Sequence, residues 1–173
     1  PVTLVVIVLL LYLNFRNMAE VLIILGTVPM ALVGSFWLLY LLDYNLSVAV
    51  GVGLIALAGV AVELGVVMLV YLNQAWRIRQ EKAEREGRAL NAEDLQAAVG
   101  NGALRRVRPI MMTVATIIIG LLPIMLGSGT GAEVMRRIAA PMVGGMISAT
   151  ILTLIVIPAV FQLAKSRSIK DSR

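Results

Sequence analysis

Residues 48–72 read VAVGVGLIALAGVAVELGVVMLVYL, and Glu63 is the one charged side chain in the run. As an α-helix the stretch is roughly 37 Å long, enough to cross a bilayer. Glu63 stands nine residues before Leu72, roughly 13 Å in and close to mid-membrane. An ionised carboxylate at that depth is costly, and acids kept there mark ion pathways and proton relays. The stretch therefore predicts a membrane span whose carboxyl takes up and releases protons. The competing reading is a protonated glutamate that only hydrogen-bonds a neighbouring helix. Gly59 lies one turn before Glu63 and Ala56 about two turns before it, while Ala58, Ala61 and Gly65 form a second stripe. Small residues admit close helix neighbours. A span small on two faces is expected inside a bundle, with Glu63 away from lipid.

The rest of the chain fits a membrane setting. Of 173 residues, 60% are hydrophobic and 14% charged, and mean hydropathy is +0.92. A water-soluble core would leave several apolar runs near span length unexplained. With no cysteine and no histidine, thiolate zinc sites, iron–sulfur clusters, disulfides, catalytic thiols and histidine-based triads are excluded. No paired carboxylates, nucleophile–base set or cofactor motif is visible, so an enzyme is not expected.

Five spans are predicted, at 1–13, 21–42, 48–72, 109–127 and 138–163. The first is short for a crossing. No basic leader precedes it, and the chain is expected to begin inside a longer architecture. Pro29 should kink the second span and Pro123 should bend the end of the fourth. The organisation expected is spans one to three in residues 1–73, a basic amphipathic loop at 74–108, spans four and five at 109–163, and a basic tail at 164–173. The polar segment 73–108 holds eight Lys or Arg and five Asp or Glu. Pairs Glu81/Arg85 and Glu84/Arg88 at i,i+4 predict a surface helix. Gly87 is placed to end it, and Asn91 to cap a second helix at 92–104. Both are expected to lie on the membrane surface.

If five spans alternate, one side collects Arg16, the eight basic residues of the loop and four of the tail, thirteen of fifteen in all. The positive-inside rule makes that side cytoplasmic, including the C-terminus. The basic charge therefore reads as orientation and contact with membrane lipid, and nucleic acid is not an expected partner. The turn GSGTGAEVMRR lacks the Gly-Lys-Ser/Thr ending of a phosphate loop, which argues against nucleotide binding.

Two further patterns carry chemistry. Thr113, Thr116 and Gly120 give the fourth span one small polar face. Their hydroxyls can bond back to their own helix or relay to a neighbour. Ala140, Gly144 and Ser148 repeat small residues every fourth position in the fifth span, the pattern of close helix packing. Met135, Met142 and Met146 fall at i, i+7 and i+11. Thioether sulfur suits Cu(I) and Ag(I). Methionine is also an ordinary filler of apolar packing, and Pro141 interrupts the stripe.

Residues 51–72, GVGLIALAGVAVELGVVMLVYL, and 106–161, which open RVRPIMMTVATIIIGLLPIMLG and continue through GAEVMRRIAAPM, resemble the C-terminal membrane half of the CusA-type heavy-metal efflux pumps of the resistance-nodulation-division superfamily. The strings AVELGVVM and GAEVMRRIAAPM carry the resemblance beyond hydropathy, and it covers nearly the whole chain. It implies a bacterial inner-membrane pump of twelve spans with large periplasmic domains. Such a pump works as a homotrimer with a periplasmic adaptor and an outer-membrane channel, and uses the proton gradient to export Cu(I) and Ag(I). The metal is cargo, and no covalently bound cofactor is implied. By the same resemblance, Glu63 belongs to the proton relay and Met135 to a chain of methionines that carries the metal. The copper-type pumps have a lysine after RVRP where this chain has Ile110. Arg108 and Thr113 are the nearest substitutes in sequence. The remaining half of the pump would supply an aspartate partner.

The expectation is thus an all-α membrane bundle of five spans, with a cytoplasmic surface-helix loop between spans three and four. It would act in proton-driven Cu(I)/Ag(I) efflux with Glu63 and Thr113 in the relay, Met135 on the metal path, and Gly59, Ala140, Gly144 and Ser148 in helix packing. It is not expected to pump alone. The alternative is a structural or accessory membrane subunit without transport activity.

Overall fold

A computed structural model describes the backbone of residues 1–171 and the side chains of residues 1–167. Among the described residues the chain is five helices with no strand: α1 (Val2–Phe15), α2 (Met18–Leu41), α3 (Val48–Glu86), α4 (Ala92–Leu126) and α5 (Ala132–Asp171). Four of them, α2 to α5, are long and apolar enough to cross a membrane. The stretch expected as span one is the 14-residue α1, an apolar helix shorter than a crossing. Arg173, counted with the basic tail, lies outside the described residues.

Helix starts are set by short polar side chains. The Asn17 side chain accepts the Ala19 N–H at 3.0 Å, and Ser47 Oγ accepts the Val50 N–H at 3.4 Å. Each satisfies a donor that the first turn cannot pair internally. The polar segment differs in one respect from expectation. Its two helices exist, with the break at 87–91, but they are continuations of the spans on either side. α3 runs unbroken for 39 residues and α4 for 35. Between Leu72 and Glu86 there is neither glycine nor proline, so nothing in the backbone ends the helix where hydropathy falls. Pro109 leaves α4 continuous, as Pro29 leaves α2.

The break itself has a local cause. Gly87 adopts φ +62°, the left-handed region that a side chain disfavours, and its N–H closes α3 on the Glu84 carbonyl at 3.2 Å. Ending the helix at Gly87 takes Arg88 out of register with Glu84. The pair expected at Glu84/Arg88 is accordingly not formed, and Glu81/Arg85, in register within α3, is not formed either among the described residues. Arg88 instead grips Asp94 with two hydrogen bonds of 2.7 and 2.9 Å, and its Nε donates to Glu86. The Asn91 N–H donates to Asp94 Oδ2 at 3.3 Å. Arg88 foremost, then the Asn91 amide, holds the Asp94 carboxyl below the usual carboxylate range.

A carboxylate with a lowered folded-state pKa stabilises the turn fully above its unfolded value of about 3.9, and that support fades as pH drops through the folded value. Protection of the amides at residues 87–91, measured against the intrinsic exchange rate at each pH, should therefore fall on acidification below about pH 4. In Asp94→Asn that protection should already be low at neutral pH, with no further acid step. An unchanged acid step in the variant would remove Asp94 from the account.

α5 is the centre of the bundle and packs on α2, α3 and α4, while α1 packs on α2. The α2–α5 contact is the most extensive. A Cβ added to Gly144 would lie 2.6 Å from both the Gly34 carbonyl oxygen and Leu38 Cβ. Ala140 and Gly144 are buried and Ser148 is half-buried in this seam. Ser148 Oγ donates to the Ala31 carbonyl at 2.8 Å, and Ser35 Oγ donates to the Pro141 carbonyl at 2.5 Å. Small residues and hydroxyl bonds across helices are the forces available where apolar burial drives little association.

Glu20 was legible in sequence only as part of a short polar turn. It is buried, 6% exposed. Its Oε2 accepts from the Asn73 amide at 2.7 Å, and Lys165 Nζ lies 3.9 Å from Oε1. One carboxylate thereby ties α2, α3 and α5 together at the end of the bundle where the apolar runs stop.

Candidate functional site

Glu63 lies in a cavity of about 140 Å³ between α3 and α4. α3 supplies Val60, Glu63, Leu64 and Val67. α4 supplies Arg106, Pro109, Ile110, Thr113 and Ile117. The α4 residues recur at helical spacing, 106, 110, 113 and 117, so one face of that helix looks onto the carboxyl. Glu63 and Thr113, taken from sequence as members of one relay, share this cavity. Ile110 also lines it and is 3% exposed. It is an apolar plug packed into the core where the resemblance implied a lysine.

The cation that lines the cavity with Glu63 is Arg106, with no ion pair to it within 4.0 Å among the described residues. Arg108 is exposed and does not line the cavity. The reason is helical phase. Residue 106 is one turn before 110 on the same face, whereas 108 points some 200° away from 106 at about 100° per residue. That spacing was available in the sequence. Proximity along the chain pointed to Arg108 and Thr113 as the nearest substitutes for a lysine at 110; of these Thr113 lines the cavity, together with Arg106. The Arg106 guanidinium stacks 4.5 Å from the centre of the Tyr71 ring, an attraction that fixes its plane. Its Nε–H is buried without a hydrogen-bond partner among the described residues. A buried, unpaired donor is costly unless something else accepts from it.

Thr113 Oγ1 donates to the Pro109 carbonyl at 3.1 Å, and Thr116 Oγ1 to the Met112 carbonyl at 2.8 Å. Both hydroxyls are thus bonded back to their own helix. Each retains acceptor capacity toward a second partner.

The site's outer side is open. Ala56, Gly59 and Glu63 on α3 are exposed, as are Thr113, Thr116 and Gly120 on α4. A Cβ added to Gly59 or Gly120 would meet nothing within 4 Å. Only 11% of the apolar stretch of α4 is buried within the chain, against 44% for α5. The expectation that both small stripes of α3 are packed is therefore corrected for one of them. Ala61 and Gly65 face the chain's own core. Gly59 and Ala56 form an unfilled face around the carboxyl.

Met135 lies elsewhere. It is 56% exposed in the first turn of α5, against a shallow hollow formed with Ile124, Ser128 and Thr130. Leu126, where α4 ends, is thirteen residues beyond Thr113, roughly 20 Å along the axis. The turn between α4 and α5 is held by Arg136, which donates to the Gly127 carbonyl. The three methionines do not present one surface: Met142 is half-buried and Met146 fully buried in the core.

The sequence pattern of the AcrB/AcrD/AcrF family matches residues 1–165. The chain is 54% identical to the cation efflux system protein CusA of Escherichia coli O157:H7 over 163 residues, covering 94% of this chain and 15% of that protein. It is 37% identical to the cobalt-zinc-cadmium resistance protein CzcA of Cupriavidus metallidurans over 175 residues, covering 100% of this chain and 15% of that one. A crystal structure of a heavy metal efflux pump superposes with a TM-score of 0.79 at 35% identity, over 96% of this chain and 15% of the pump. The chain thus spans about 15% of the length of these relatives.

Proposed function

The chain belongs to the AcrB/AcrD/AcrF family and is of the CusA type, and from that we propose that it is the membrane part of a proton-driven Cu(I)/Ag(I) efflux transporter of the bacterial inner membrane. The observation that carries the reading is Glu63, a carboxyl in mid-span that shares a cavity with Arg106 and Thr113. With the proton bound, the glutamate is neutral. With the proton released, Arg106 is the cation at hand to balance it. A group that alternates between these states across a gradient can drive a conformational cycle.

The unfilled face around Gly59 and Glu63 supports a partner of complementary helices, the remaining half of a pump. The complete assembly would be a homotrimer joined to a periplasmic adaptor and an outer-membrane channel. The C-terminus and the turn at 87–91 would be cytoplasmic, on the positive-inside count. Met135 would lie at the outer end, where a soft thioether can pass Cu(I) or Ag(I) along.

A buried Ile110 in place of a lysine favours a second reading, an accessory membrane subunit without transport. One experiment separates them. The chain is co-expressed with the remaining portion of a CusA-type pump, reconstituted into vesicles, and Ag(I) flux is followed with and without an imposed pH gradient. Transport requires flux that appears with the gradient and collapses with a protonophore, and Met135→Leu should lower it. Flux that is absent both with and without the co-expressed portion assigns the accessory role. Flux unchanged in Met135→Leu removes that residue from the metal path.

A further inference from the structure

A second cavity, of about 350 Å³, lies between α3 and α4 just beyond the end of the apolar run at Leu72. Its walls include Tyr71, Ile78, Arg79, Lys82, Asn101 and Arg105, and no carboxylate lines it. We propose that this groove binds the phosphate of an anionic lipid headgroup. The proposal requires only that α3 and α4 cross a membrane and is independent of the transport reading.

Charge is the first argument. Three cations converge on one hollow. Among the described residues, neither Arg79 nor Arg105 has a carboxylate within 4.0 Å, and Lys82 has only Glu86 at 3.9 Å. With Glu86 the one carboxylate within 4.0 Å of any of them among the described residues, the three cations still repel one another, and an anion seated between them relieves the repulsion. Guanidinium groups bind phosphate oxygens through paired N–H donors, and the Asn101 amide adds neutral donors.

Shape and depth are the second. Gly102 lets the helices close at the floor of the groove: a Cβ there would meet the Tyr71 carbonyl and Ala75 Cβ, both at 3.3 Å. Tyr71 sits at the last turn of the apolar run, the level where aromatic rings meet headgroups. Ile78 at 56% exposure and Leu104 at 72% are apolar side chains left uncovered beside the cations. A soluble phosphate has no use for them, whereas glycerol and the start of an acyl chain do. Basic pockets between spans at this level are the usual seats of anionic headgroups.

The test is native mass spectrometry of the purified chain, titrated with phosphatidylglycerol or with phosphatidylcholine of the same acyl chains. Phosphatidylglycerol should be retained in preference. Each arginine removed should weaken that retention about fivefold, so Arg79→Gln with Arg105→Gln should weaken it roughly 25-fold. Arg79→Lys with Arg105→Lys keeps the charge and should retain most of the binding. Arg16→Gln with Arg85→Gln makes the same charge change outside the groove and should leave binding intact. Helicity and elution volume confirm that each variant folds. If the double glutamine variant fails to fold, Arg105→Gln alone gives the same reading at one fivefold step. Equal binding of the two lipids overturns the proposal, as does an equal loss in the Arg16/Arg85 control. Displacement of the lipid by inorganic phosphate alone shows a soluble-anion site and overturns the lipid assignment.

Discussion

Glu63→Gln is expected to reduce gradient-driven Ag(I) flux to the level of protein-free vesicles, in assemblies where the chain is joined by the rest of a CusA-type pump. Glutamine keeps the size of the side chain and its hydrogen-bonding capacity, so packing and assembly should be unchanged. It cannot ionise, and with it the coupling of proton to motion is lost. Glu63→Asp restores the acid one methylene further from α4 and should recover part of the flux. Arg106→Gln should impair transport strongly, since it removes the cation that shares the cavity. Arg108→Gln should not, because Arg108 does not line it. Full flux in Glu63→Gln would leave the glutamate as a helix-packing group and nothing more.

A large effect on folding is expected at Gly144. Gly144→Val should leave little monodisperse chain after purification, because a Cβ there runs into the Gly34 carbonyl and Leu38 at 2.6 Å. Overpacking costs about 1–3 kcal/mol where side chains can move aside, and here one of the obstacles is backbone. Gly59 supplies the contrast. Gly59→Ala meets open space in this chain and should be neutral or stabilising by up to about 1 kcal/mol, through helix propensity. Gly59→Ile should be tolerated by the isolated chain but should cut flux in the assembled pump, if that face receives the other half. Thermal unfolding in detergent, read beside vesicle flux, distinguishes these outcomes. A well-folded Gly144→Val chain would show that the α2–α5 seam can open.

How far the residues reveal the molecule depends on which force is at work. Four of the five expected spans were legible because hydrocarbon imposes length and composition directly on the chain; the first is an apolar helix too short to cross. The turn at Gly87–Asn91 was legible because a left-handed glycine and a capping asparagine act locally. The continuity of α3 and α4 through the polar segment is not what falling hydropathy suggests: no breaker stands in α3 between Leu72 and Glu86, and α4 runs on through Pro109. Glu20 escaped notice because its partners, Asn73 and Lys165, are distant in sequence. The choice between Arg106 and Arg108 turned on helical phase, which the RVRP motif encodes but does not display. Resemblance carried Met135, since the stripe it shares with Met142 and Met146 runs from an exposed first turn into the packed core and so presents no single surface.

α3 is one unbroken rod of 39 residues, roughly 58 Å long, and the part from the carboxyl to the turn at Gly87 is roughly 36 Å of it. A stiff rod transmits rotation. Pivoting by ten degrees about its midpoint, it would carry each tip sideways by roughly 5 Å. A fluorophore or spin label near Arg88 would then act as a dial for events at Glu63, far from the chemistry and outside the lipid, where reporters are easiest to attach.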